Sequence, residues 1–388
     1  MNIRFATPMR GFFKHLLKED SIKANIENSV GQLYEVHSTS KKLINKLLRS
    51  TLFDHLGLIH APKAFGYDCD LVGSFNRFLT TDQPYFIYVE NPTGLYHYRL
   101  ARSKSLIGRL RLKRFMTDSN LKALVCMSQA CYNTFEKVCH PVPQTCTLTQ
   151  IYPLIPNNPL ADEDFIQKRC QSDKPVKLLF IAQGNAFISK GVLDILEAYS
   201  SLKEKYAAQI SLTIVTSFQD ADPETLEQVR NNPDIELHDF KFSYEQMQEL
   251  YASHSLLLVP TSHDSFNLTI LEAMKAGLPV IGTRLYAIPE MVQENVNGFL
   301  TDPTWWFFDA NNIPNPKVWN NRDNTIFVKR TNERMVKFLT DKIELLLNDR
   351  ELLTEFSLNS YRISNSAPFS KEYIVEQWNK LFDNINSL

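Results

Sequence analysis

No apolar run in this sequence approaches the roughly 20 residues that cross a bilayer as a helix, so no stretch reads as a membrane span. The opening Met1-Asn2-Ile3-Arg4 leads into a short, interrupted apolar stretch, which does not read as a secretory signal. There is no C-x-x-C pair. The six cysteines fall at 69, 126, 131, 139, 146 and 170, and no His/Cys set, His140 beside Cys139 included, has zinc spacing. Reduced thiols without a metal are therefore expected. Charge of one sign is also missing: the net charge is −1, so nothing global points to nucleic acid. These absences predict a protein made and kept in the cytosol. At 388 residues the chain is long enough for two domains of ordinary size.

One stretch carries most of the chemistry. Leu256-Leu257-Leu258-Val259 is an apolar run with the composition of a buried strand, ended by Pro260 and Thr261. Asp264 and Ser265 can cap a helix, and Leu268, Leu271 and Met274 then recur at helical spacing, predicting a helix over 266–276. Gly277 stops it, and Pro279-Val280-Ile281 begins the next strand. In parallel α/β sheets, ligands sit beyond the carboxyl ends of the strands. Helix-start amides attract anions, phosphate above all, so Ser265-Phe266-Asn267 suits a phosphate or a sugar oxygen. Carboxylates placed like Asp264 and Glu272 accept hydrogen bonds from hydroxyls. The plainer alternative makes Asp264 only a cap and Glu272 only a solvated side chain.

Asp264, seven residues, Glu272, and then Ala273-Met274-x-Ala276-Gly277-x-Pro279-Val280 resemble the E-x7-E signature of retaining glycosyltransferases of the two-Rossmann-domain type (GT-B), group 1 or family 4. Pro289-Glu290 and Asn297-Gly298-Phe299-Leu300 resemble the same family's continuation. The first acid departs from the pattern, being Asp rather than Glu. The resemblance implies an α/β fold of two Rossmann-like domains facing each other across a cleft, with a C-terminal helix crossing back to the first. The acceptor domain would be 1–155 plus 369–388, and the nucleotide-sugar domain 173–368, with the hinge at the linker holding Pro153, Pro156, Asn157, Asn158 and Pro159.

The implied reaction moves a hexosyl group from a UDP- or GDP-linked sugar to a hydroxyl of a saccharide or lipid-linked acceptor. It keeps the anomeric configuration, needs no metal or other cofactor, and belongs to polysaccharide or glycolipid synthesis. By resemblance, Lys190 holds the diphosphate with the amides near Phe266, Asn267 and Leu268. Glu272 holds the ribose, and Asp264 the donor sugar. The family's diphosphate-binding Arg is replaced by Gly184 or Asn185. A Lys before a helix opposes the helix dipole, which independently favours a phosphate beside Lys190. Phe242 or a neighbour stacks on the base, or packs in the core.

The N-terminal third is harder to read. Residues 3–6 suggest a strand and 11–23 a helix, with 29–34 a connection or strand and 41–55 a basic amphipathic segment. The family's glycine-rich turn is replaced by Pro8-Met9-Arg10-Gly11, and its His-x-His by Gly73 and Phe75. Glu90 takes the place of an acceptor-side polar residue, as a base or merely as a strand-end cap. Asp68-Cys69-Asp70 precedes a strand rather than closing one, which disfavours a metal site.

Residues 99–116 hold seven Arg or Lys and no acid. They read as a solvated face, as a surface for anionic lipid through Arg109, Arg111, Lys113 and Arg114, or as a nucleic-acid patch without a known motif. The lipid reading would place the protein at the inner face of the cell membrane. The aromatic segment 303–328 covers an apolar face or meets a sugar or a protein. A different class, a non-catalytic glycosyltransferase-like partner, is compatible with the Asp-for-Glu, Arg and His departures.

Overall fold

The computed structural model describes residues 1–28, 51–138, 142, 143, 145–172 and 174–387. The chain divides into two compact units, Met1–Ile155 with Pro368–Leu388, and Pro156–Ala367.

The first unit is a six-stranded parallel sheet. Its strands are β1 (Asn2–Phe5), β2 (Asn25–Asn28), β3 (Leu71–Phe75), β4 (Tyr85–Val89), β5 (Leu121–Cys126) and β6 (Thr147–Gln150), in the order β2-β1-β3-β4-β5-β6. Every residue of β3 and β4 is buried, as expected of central parallel strands covered on both faces. At the entrance of β3, Asp70 accepts a hydrogen bond from the Asn2 amide at 2.7 Å, which ties the start of β3 to β1. The terminal helix Lys371–Asn386 returns to this unit. Its Trp378 ring lies 5.9 Å from Phe86 and 5.5 Å from Tyr88. Burying an aromatic of this size contributes roughly 1.5–3 kcal/mol.

Two expectations for this unit change. The helix expected over 11–23 is only Phe13–Leu17. The basic stretch breaks at Ser105 into the helices Leu100–Lys104 and Leu106–Met116, because Ser105 is extended and its side chain caps the second helix through the Gly108 amide. The expectations for 29–34 and 41–50, and those for Cys139 and His140, fall outside the described residues.

The second unit is a parallel sheet of β7 (Val176–Ala182), β8 (Ile210–Thr216), β9 (Ile235–Asp239), β10 (Leu256–Val259), β11 (Val280–Thr283) and β12 (Gly298–Thr301). Its order is β12-β11-β10-β7-β8-β9. The chain runs outward from β7 through β8 to β9, then returns to the other side of β7 as β10. The reversal leaves a switch point between the carboxyl ends of β7 and β10, where ligands of doubly wound sheets bind.

Leu178, Phe180 and Leu258 of the sheet, Ile195 and Leu202 of the helix Val192–Tyr206, and Leu339 of Glu333–Asn348 share one core. The helix Glu163–Gln171 adds Arg169, whose guanidinium donates to the carbonyls of Ala252, Ala276 and Gly277 at 3.1, 2.9 and 2.7 Å. It thereby satisfies carbonyls at the ends of two helices, Tyr244–Ser253 and Leu268–Lys275.

Candidate functional site

Two loops meet at the switch point. After β7 the chain makes a 3₁₀ turn, Gly184–Ala186, and enters the helix Val192–Tyr206 through Gly191. Gly191 has φ +88°, and a Cβ there would lie 2.5 Å from the Pro260 carbonyl oxygen just after β10. Only glycine meets both demands. The Ser262 amide donates to the Ser189 carbonyl at 2.9 Å and locks the loops together. Gly191→Ala therefore combines left-handed strain, about 1–3 kcal/mol, with a steric clash. A lowered unfolding midpoint in a thermal melt is the expected outcome; an unchanged midpoint would contradict this geometry.

Lys190 precedes that helix, and its ammonium pairs with the carboxylate of Asp264 from the β10 loop. The two side chains are only 17% and 11% exposed. This pairing corrects the reading of Asp264 as a helix cap. The following helix is Leu268–Lys275, two residues shorter at its start than expected, and its N-cap is Asn267, at φ 64°. No side chain caps it; the Asn267 amide oxygen accepts from the Thr269 hydroxyl. A helix start without a side-chain cap keeps amide capacity for an anion. The Phe266 ring is buried, so only its backbone can face a ligand. Ser265, Asn267 and Leu268 are partly exposed.

Glu272 lies one turn into this helix, half-buried. The Tyr251 hydroxyl donates to its carboxylate at 2.7 Å. Burial pushes the Glu272 carboxyl up to about 7, and the Tyr251 hydrogen bond opposes that shift only in part. The buried Tyr251 phenol is itself raised well above its ordinary range by burial and the Glu272 charge.

The aromatic segment supports the β10 loop from within the same unit. The His263 ring centroid is 4.5 Å from that of Phe307, which stacks on Trp319 at 3.9 Å. The Arg322 guanidinium sits 5.1 Å from Phe307 and 5.0 Å from Trp319. Burial, then Lys190 and Arg322, push His263 down to about 3. It is thus a neutral ring, 3.4 Å from the Ser189 hydroxyl. His263, Ser189 and Tyr251 carry no local signature in the sequence, since their partners are remote in it. The one available signal was that His263 directly precedes Asp264.

The other expected residues lie on different elements. Gly184 is buried and Asn185 exposed in the β7 turn. Phe242, after β9, meets His238 edge-on at 5.5 Å. Glu90, at the end of β4 in the first unit, pairs with Arg10 at 3.2 Å, and its amide donates to the Asn76 side chain at 2.9 Å. Arg109, Arg111, Lys113 and Arg114 are exposed on the helix Leu106–Met116. Among the described residues, no cluster of three His, Cys, Asp or Glu side chains has the geometry to hold a metal ion, and no helix is long and apolar enough to cross a membrane.

Residues 175–307 match the family described as Glycosyl transferases group 1. The matched residues lie wholly within the second unit. The curated relatives match only in part. N-acetyl-alpha-D-glucosaminyl L-malate synthase of Bacillus anthracis is 41% identical over 58 residues, 15% of each chain. An uncharacterized glycosyltransferase of Haemophilus influenzae is 27% identical over 207 residues, 51% of this chain and 47% of its own. The matches thus span less than half the length of these relatives. Over its full length the chain resembles the crystal structure of Anabaena Alr3699/HepE in complex with UDP-glucose. The TM-score is 0.58 with 15% identity, covering 100% of both chains. That likeness gives the whole chain the GT-B fold of two parallel-sheet Rossmann-like domains.

Proposed function

We propose that the protein is a retaining glycosyltransferase. It moves a hexosyl group from a UDP- or GDP-linked sugar to a hydroxyl of a saccharide or lipid-linked acceptor, in polysaccharide or glycolipid synthesis. The observation that carries this reading is the Lys190–Asp264 pair at the switch point of β7 and β10, with Glu272 one turn into the helix that follows. That arrangement offers one cation, one uncapped helix start and two carboxylates. It fits a diphosphate with hydroxylated groups at either end.

As the bond from the anomeric carbon to the diphosphate oxygen breaks, negative charge collects on the leaving diphosphate. Lys190 and the amides of Phe266, Asn267 and Leu268 stabilise that charge, as fixed donors do in other sites. Asp264 holds the Lys190 ammonium in place and accepts from a donor-sugar hydroxyl. Glu272 accepts from the ribose. In this reading the cationic role falls to Lys190, so no metal or other cofactor takes part. Glu90 of the first unit, held by Arg10, faces the acceptor, and Phe242 meets the base.

UDP-glucose, which the Anabaena protein holds, is the first donor to test. Nucleotide sugars incubated with the protein and analysed by mass spectrometry should reveal hydrolysis or transfer from one of them. Inertness toward all donors, together with no thermal stabilisation by UDP or GDP, would favour a non-catalytic partner instead.

The raised Glu272 carboxyl gives a pH signature. Ribose hydroxyls donate to the ionised form, and that form gains population as pH rises through about 7. Nucleoside affinity is therefore expected to increase between pH 6 and 8. A nucleoside is the right probe because it carries no titrating phosphate. Glu272→Gln should flatten the profile; a profile equally steep in that variant would refute the assignment.

A further inference from the structure

We propose that the helix Leu106–Met116 docks this protein onto a bilayer surface containing anionic lipid, with Leu106, Ile107 and Leu110 entering the headgroup–acyl boundary. The first support is misplaced apolar surface. Leu106, Ile107 and Leu110 are 69%, 46% and 61% exposed, on a helix whose opposite face buries Gly108, Leu112 and Met116. Leu106 and Leu110 are one turn apart and neighbours on the helix surface, with Ile107 beside them.

The second support is charge placement. Lys104, Arg109, Arg111, Lys113 and Arg114 are all exposed. Among the described residues none of the five takes part in an ion pair, and no acid lies between 99 and 117. Arg109 and Lys113 flank the leucines on one side and Arg111 flanks Ile107 on the other, while Arg114 follows Leu110 one turn on, between Leu110 and Ile107 around the helix. An apolar centre with basic flanks is what an interfacial helix presents, its long side chains reaching the headgroups while the leucines enter the acyl boundary.

The remaining two cations of the stretch serve the mounting rather than the surface. Arg99 and Arg102 both pair with the buried Asp54 of the helix Thr51–His55, Arg102 at 3.1 Å. Gly57 packs so closely on Gly108 that a Cβ would meet its amide nitrogen at 2.3 Å, and the adjacent Leu56 is 42% exposed. The docking helix is thus held by its back face while its front carries three large apolar side chains to solvent. A nucleic-acid backbone would use the cations but give the leucines nothing apolar to enter.

The test is co-sedimentation of the full chain with vesicles of phosphatidylcholine alone or mixed with phosphatidylglycerol, and it requires no sugar donor. Binding to the mixed vesicles and not to the neutral ones is expected. A basic residue at an anionic surface is worth about five-fold in partitioning. Changing Arg109, Arg111, Lys113 and Arg114 to Gln should therefore weaken binding on the order of several hundred-fold. Changing both Leu106 and Leu110 to Ser should cost on the order of ten-fold per residue, with the melting temperature retained because both side chains face solvent. No vesicle binding, or binding that ignores the anionic lipid, would overturn the proposal. So would loss of binding in the charge variant alone accompanied by equally tight, salt-sensitive binding of an RNA oligomer.

Discussion

Lys190→Ala lowers kcat for sugar transfer by about 10²–10³-fold, the range seen when one fixed donor to a developing anion is removed. The loss is greater than that of a mere contact because the variant exposes the leaving diphosphate to Asp264. In the intact protein the Asp264 carboxylate is paired with the Lys190 ammonium and only 11% exposed. Alanine leaves that charge unpartnered where the diphosphate must gather its own. A largely buried carboxylate without its partner also costs about 1–3 kcal/mol of stability. The double change, Lys190→Ala with Asp264→Asn, separates the two effects: stability returns while kcat stays low. Recovery of kcat in the double variant would make Lys190 a structural residue and remove it from the chemistry.

Glu272→Ala abolishes the thermal stabilisation given by UDP or GDP. A hydrogen bond to a charged group is worth about 1.5–3 kcal/mol, so a ribose held by this carboxylate loses roughly 10- to 150-fold in affinity. The change also strands the buried Tyr251 hydroxyl, whose described partner is Glu272. Tyr251→Phe is the control. It keeps the carboxylate, removes its orienting donor, and should weaken nucleotide binding by less than Glu272→Ala does. Equal losses in the two variants would mean that Glu272 only serves the core.

The parts of this fold legible in the sequence are those where burial is two-sided. Leu256–Val259 is a strand over the residues its apolar run marks, because a central parallel strand contacts nonpolar neighbours on both faces. The edge strand Asn25–Asn28, with the sequence NIEN, carries no such signature. The helix Arg350–Ser364 buries Thr354, Ser357, Ser360 and Ser364, so its inward face is too polar to stand out by hydropathy.

At the site, residue types were readable and partnerships were not. Asp264 looked like a local cap because Asp, Ser and Asn before an apolar helical pattern usually act as one. Its partner is instead Lys190, 74 positions earlier in the chain, brought near only by the β7–β10 switch. The segment after β12 showed its aromatics plainly, but not that Phe307, Trp319 and Arg322 would brace His263. Stacking between rings so far apart in sequence has no local pattern.

The direct test compares how tightly the protein binds the nucleoside diphosphate and the nucleoside of its donor base, by calorimetry, in three proteins. With the intact chain the diphosphate should bind far more tightly than the nucleoside. Lys190→Ala should erase most of that difference and leave nucleoside affinity unchanged, whereas Glu272→Ala should weaken both ligands by the same factor. If Lys190→Ala weakens both ligands alike, or neither, no diphosphate sits at the switch point and the account fails.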